Sequence, residues 1–117
     1  MTTISLTEAT FQKEVLKDGI VLVDFWAAWC GPCRMFGPIF ESASEKYPDI
    51  TFVKIDTESE QGLSASLGIS SIPTLMAFRD GILIFNQAGA LPAASLDELI
   101  TSISNLDMEE VRASIAN

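Results

Sequence analysis

A chain of 117 residues, 48% hydrophobic and 9% aromatic, carries enough apolar side chain for one packed core and is too apolar to be disordered. Sixteen acidic against seven basic residues give a formal net charge of −9, which argues against nucleic-acid phosphates and anionic membranes as partners and favours a basic partner surface. Residues 1–10 lack a basic flank followed by an apolar segment, and no run approaches membrane-spanning length, so neither a secretory signal nor a membrane span is expected and a cytoplasmic location is.

Thr2–Leu6 reads as a short edge strand, and Thr7 as the N-cap of a helix over Glu8–Lys17 with Phe11, Val15 and Leu16 facing inward. Asp18-Gly19 ends that helix. Ile20–Trp26 is then an almost unbroken apolar run, the pattern of a central strand covered on both faces. Asp24 interrupts it and places a carboxylate where burial is expected. Desolvation there raises a carboxyl pKa, which suits a group exchanging a proton near neutral pH.

Arg34–Lys46 has helical spacing, with Phe36, Ile39, Phe40 and Ala43 as packing residues and Pro38 predicting a kink. Ile50–Ile55 reads as a second buried strand, parallel to the first because a helix links them, and Lys54 is a charge in its apolar frame. Glu58–Leu67 is expected as a short helix. Leu75–Arg79, Asp80-Gly81 and Ile82–Asn86 predict a tight antiparallel hairpin. Ser95 and Glu98 suggest a capping box for a closing helix with Leu96, Leu99, Ile100 and Ile103 on one face, restarted or extended after Asp107 so that Val111 and Ile115 pack on the body. The order predicts an α/β chain: one domain over 1–117 with a central mixed sheet of about five strands, about four flanking helices, and 106–117 as a helical C-terminal extension.

The only two cysteines stand in Trp29-Cys30-Gly31-Pro32-Cys33, between a strand and a helix. A loop this short removes little unfolded-state entropy, so in a reducing compartment the pair is chemical rather than a staple. At a helix start the first sulfur meets unsatisfied backbone N–H groups and the positive end of the helix dipole, both of which favour thiolate. Cys30 is therefore the expected nucleophile, exposed, and Cys33 the shielded resolving thiol. Cys30 attacks a substrate disulfide, and Cys33 then attacks the mixed disulfide to release reduced substrate. Gly31-Pro32 permits and stiffens the turn, with Pro32 in the first helical turn where its missing N–H costs little. Two cysteines and no histidine are too few for a zinc site within one chain, and a cysteine hydrolase lacks its base. A pair of inert buried thiols stays open as the bland alternative. No metal ion and no cofactor beyond a redox-active Cys30–Cys33 disulfide is expected.

Val23–Met35 resembles the active-site segment of the thioredoxin family, and Pro38, Asp56, Ile72-Pro73-Thr74, Asp80-Gly81 and Gly89-Ala90 recur at similar separations, so the resemblance covers about residues 4–105. It implies the thioredoxin fold and a general protein dithiol–disulfide oxidoreductase. Its implied partners are a flavin-containing thioredoxin reductase and disulfide-containing client proteins, and its implied state is a monomer. By the same resemblance Asp24 exchanges a proton with Cys33, Lys54 lies near that carboxylate, and Pro73 is cis so that the Ile72 backbone can take up a substrate strand. Trp29, Gly31, Pro32, Ile72, Pro73, Gly89 and Ala90 form the implied substrate-binding rim. Three features depart from the family pattern: Phe36-Gly37 before Pro38, where Gly37 weakens the helix by about 1 kcal/mol relative to alanine, Ala88 before Gly89, and the tail after Leu106. A disulfide oxidant or isomerase, and a non-catalytic binding or chaperone subunit, are the alternative readings.

Overall fold

Five strands form one mixed sheet in the computed structural model, which describes residues 2–116; Met1 and Asn117, the ends of the expected domain, lie outside the described residues. In chain order the elements are β1 (Thr3–Ser5), α1 (Glu8–Val15), β2 (Ile20–Trp26), α2 (Gly31–Lys46), β3 (Thr51–Asp56), α3 (Gln61–Ser66), β4 (Thr74–Arg79), β5 (Ile82–Ala88), α4 (Ala93–Ser104) and α5 (Met108–Ala116). The strand order is β1-β3-β2-β4-β5. β1, β3 and β2 run parallel, while β4 is antiparallel to both β2 and β5.

The unbroken apolar run of β2 is explained by its central place. Val21, Val23 and Phe25 face a core that also holds Phe11 and Val15 of α1 and Leu63 of α3. Leu22 faces a second core with Phe36 and Phe40 of α2 and Leu96, Ile100 and Ile103 of α4. Strand side chains alternate, so Asp24 shares the α2 side with Leu22. Phenylalanines tie each layer: Phe11 lies 6.2 Å from Phe78 edge-on, and Phe40 lies 5.1 Å from Phe52. Such pairs add about 1 kcal/mol each to the burial of their rings.

The Asp80-Gly81 hairpin forms as expected, with positive φ at both residues (52° and 81°), the backbone that a two-residue turn needs to match strand twist. The turn is pinned to the start of β2, where the Asp80 N–H donates to Gly19 O and the Gly19 N–H donates to Asp80 Oδ1, both at 2.8 Å. A Cβ on Gly81 would lie 3.0 Å from Leu16 O, so close approach as well as turn geometry calls for glycine here.

Several boundaries differ from expectation. Thr7 caps α1, its N–H donating to Thr10 Oγ1 at 3.2 Å, but the helix ends at Val15 and leaves Leu16 exposed rather than facing inward. α2 starts at Gly31, inside the cysteine motif, with Cys30 as its N-cap, and runs through Pro38. α3 starts at Gln61, because Asp56 draws the following chain into a turn, accepting from Glu58 N–H and Ser59 Oγ. α4 starts at Ala93 behind Pro92, so Ser95 lies inside the first turn and makes no cap with Glu98. Its C-terminal carbonyls are satisfied by Arg79, whose Nη1 donates to the O atoms of Ile103 (2.7 Å), Ser104 (3.2 Å) and Leu106 (2.9 Å). The chain breaks at Leu106-Asp107 and restarts as a fifth helix, with Asp107 Oδ1 accepting from the N–H groups of Glu109 and Glu110. Met108 is buried and Val111 half-buried, whereas Ile115, expected to pack on the body, is 62% exposed.

Candidate active site

The C-terminal ends of the parallel strands carry the site. β2 ends at Trp26, Ala27-Ala28-Trp29 turn the chain, and Cys30 caps α2. The two cysteine sulfurs are at disulfide-bonding distance, with Cα atoms 5.2 Å apart. The Cys33 backbone N–H donates to Cys30 Sγ at 3.2 Å, so an orphan donor of the first turn of α2 is aimed at that sulfur and stabilises negative charge on it once the pair is reduced. Sequence reasoning expected Cys30 exposed and Cys33 shielded. In the disulfide the two are alike, at 4% and 5% exposed, in a cluster with Ala27 against which Trp26 and Ile72 pack.

Ile72-Pro73 is a cis peptide, and Ile72 O lies 3.6 Å from Cys30 Sγ. The Gly89 N–H donates to Pro73 O at 2.8 Å, joining the expected rim residues Pro73 and Gly89 in one wall. Gly89 and Ala90 are exposed, as are Gly31 and Pro32. Trp29 is 66% exposed, and its Nε1 donates to Glu58 Oε1 at 2.5 Å, which fixes the indole over the loop after β3. Glu58 carries no such signal in the sequence, being one exposed acid among several in a polar loop. Met35 of α2 is a further exposed apolar side chain close in sequence to the pair.

Asp24 is 1% exposed, and neither carboxyl oxygen has a hydrogen-bond partner among the described residues. Burial pushes its pKa up to about 7, and the Lys54 ammonium works in the opposite direction. Lys54 is its register partner on β3, half-buried, with Nζ 5.2 Å from the centre of the Trp26 ring. Lys54, Trp26, Cys33, Gly37, Pro38 and Glu41 are among the residues lining a cavity of about 330 Å³, so Cys33 and the lysine border one space. Of the residues expected from the sequence, Cys30, Cys33, Ile72, Pro73 and Gly89 come together, with Trp29 exposed next to Cys30 in the chain, while Asp24 and Lys54 lie on β2 and β3. Among the described residues, no group of three or more His, Cys, Asp or Glu side chains is placed to hold a metal ion, and no helix is long and apolar enough to cross a membrane.

A vicinal cysteine pair at a helix N-terminus, faced by a cis-proline wall and set on the strand ends of a mixed sheet, defines a dithiol–disulfide centre. The thioredoxin family model matches residues 2–102. Thioredoxin-named relatives include a putative thioredoxin 2 of Streptomyces coelicolor, 49% identical over 97% of this chain and 85% of its own length. Thioredoxin 1 of Synechococcus elongatus is 46% identical over 79% of this chain and 88% of its own. The crystal structure of Malassezia sympodialis thioredoxin superposes with a TM-score of 0.77 at 31% identity, covering 87% of this chain and 93% of that one. The chain belongs to the thioredoxin family, and it is a dithiol–disulfide oxidoreductase.

Proposed function

We propose that the chain is a general reductant of protein disulfides, and that the observation carrying this reading is the Cys33 N–H aimed at Cys30 Sγ at the start of α2. The Cys30 thiolate attacks one sulfur of a client disulfide. That S–S bond breaks, a Cys30–client disulfide forms, and the client's other sulfur leaves as a thiolate. Cys33 gives its proton to the Asp24 carboxylate and attacks Cys30 Sγ, releasing the second client sulfur and closing the Cys30–Cys33 disulfide. The client gains two electrons and this chain loses two, which a thioredoxin reductase returns. A carboxyl near pH 7 is present in both forms at neutrality, so it can take the proton in one direction and return it in the other.

The client backbone is received by Ile72 beside Pro73 as an added strand, and Trp29, Gly31, Pro32, Gly89 and Ala90 form the surface that holds it and reduces water around the sulfurs. Lys54 moderates Asp24. Residues 1–117 act as one domain, with 106–117 an extension of it, as a monomer in the cytoplasm that needs no metal ion or cofactor. An insulin-turbidity assay with dithiothreitol tests the reading. Wild type accelerates precipitation and Cys33→Ser does not; equal rates overturn the resolving role of Cys33. Equilibration against glutathione separates the reductant from an oxidant or isomerase, since only a reductant leaves Cys30–Cys33 reduced last.

A further inference from the structure

Lys54 stands between two carboxylates, only one of which the mechanism uses. Asp24 is its register partner on the β2 side. On the helix side, a Cβ at Gly37 would lie 3.9 Å from Lys54 Nζ, so the ammonium lies against the Gly37 turn of α2. Glu41 follows one helical turn later on the same face and lines the same cavity. Its Oε2 accepts the Thr3 hydroxyl at 2.7 Å, which anchors it from β1. Its Oε1 is buried with no hydrogen-bond partner among the described residues.

The charged groups lining this space are Arg34 and Glu41 from α2 and Lys54 from β3; Asp24 lies beside Lys54 on β2, and Cys33, held in the disulfide, does not titrate. β4 places Leu75 opposite Asp24, and β1 brings Thr3 and Ser5. Arg34 is exposed at the cavity mouth, and Lys54 makes no ion pair among the described residues. A buried carboxylate oxygen without a donor is costly, and Lys54 is the half-buried cation lining the same cavity.

We propose that Glu41 is a positioning residue that shares the Lys54 ammonium with Asp24 and thereby keeps Asp24 protonatable in the working pH range. The effect runs through the cation: the Glu41 charge draws Nζ toward α2 and so weakens its hold on the Asp24 carboxylate. This rests on reading Asp24 as the proton-transfer group, which Asp24→Asn kinetics test separately.

The experiment titrates the Asp24 carboxyl carbon by ¹³C NMR in the oxidised protein, without turnover. Glu41→Gln and Glu41→Ala, which remove the charge with and without the side-chain shape, lower the Asp24 midpoint by about half a pH unit or more, and Glu41→Asp returns most of that shift. In a Lys54→Met background the effect of Glu41→Gln at least halves, because the shared cation is gone. An unchanged Asp24 midpoint in the folded variants overturns the proposal. So does a shift of equal size with and without Lys54, which assigns Glu41 a role independent of the lysine. A merely structural anchor for β1 would change stability and leave the midpoint where it is.

Discussion

Asp24 and Lys54 are register partners on adjacent parallel strands, yet the carboxyl titrates at about 7 rather than near its ordinary 3.8. Desolvation is the larger influence and the lysine the smaller. The reason is geometric: the carboxyl is buried with no hydrogen-bond partner among the described residues, while Nζ lies 5.2 Å from the centre of the Trp26 ring and makes no ion pair with the carboxyl.

Stability follows from that shift. Between the unfolded and folded pKa values the native state binds the extra proton, so stability falls as pH rises from about 4 to about 7 and is level above. The charged form costs about 4 kcal/mol above pH 7, on the scale of 1.36 kcal/mol per unit. Asp24→Asn removes that cost but buries an amide with imperfect partners, which takes back about 2 kcal/mol. Urea unfolding of the oxidised protein at pH 4 and pH 8 should show Asp24→Asn more stable than wild type by about 2 kcal/mol at pH 8 and no more stable at pH 4. Equal gains at both would show that the charge is not the cause.

Removing the lysine acts oppositely. Because the Lys54 ammonium lowers the Asp24 pKa, Lys54→Met raises the carboxyl midpoint further above its wild-type value of about 7. The pH below which Cys33 resolution slows moves up with it, and stopped-flow decay of a trapped mixed disulfide across pH 6–9 reads both.

Glu58 fixes Trp29 without holding the fold. Its bond to the indole lies at the surface, so Glu58→Ala changes unfolding free energy by less than about 1 kcal/mol. The Trp29 indole N–H resonance broadens or moves in ¹⁵N spectra, and the KM for a protein client rises several-fold. A large loss of stability with an unmoved indole resonance would contradict this.

Gly37 should accept a methyl group. It lies inside α2, and the new Cβ would meet only Lys54 Nζ at an ordinary 3.9 Å. Gly37→Ala therefore stabilises the protein by up to about 1 kcal/mol through helix propensity. A lower midpoint in thermal unfolding would show that the glycine is needed for more than chain flexibility.

Arg79 ties β4 to the end of α4. Replacing it with methionine keeps the apolar stem but strands three carbonyls, at a cost of about 2 kcal/mol. Amide exchange in α5 should accelerate more than in β2, since the arginine also holds Leu106 at the helix junction.

The sequence by itself determined the order of elements, the central burial of β2, the Asp80-Gly81 turn and the helix-start cysteine pair. Each is written in local chemistry: a run of apolar residues, a turn requiring positive φ, two thiols at fixed spacing. Helix starts were less legible, because Ser95-Glu98 offers a local cap while packing begins α4 behind Pro92. Leu16 and Ile115 have the periodicity of packed residues, but the layers end before them. What only the tertiary structure decided are meetings between residues far apart in the chain: Trp29 with Glu58, Gly89 with Pro73, and Lys54 with the face of α2 that carries Gly37 and Glu41. No spacing rule encodes those contacts, since they depend on how the β3 end, the proline wall and the first half of α2 converge once both cores have closed.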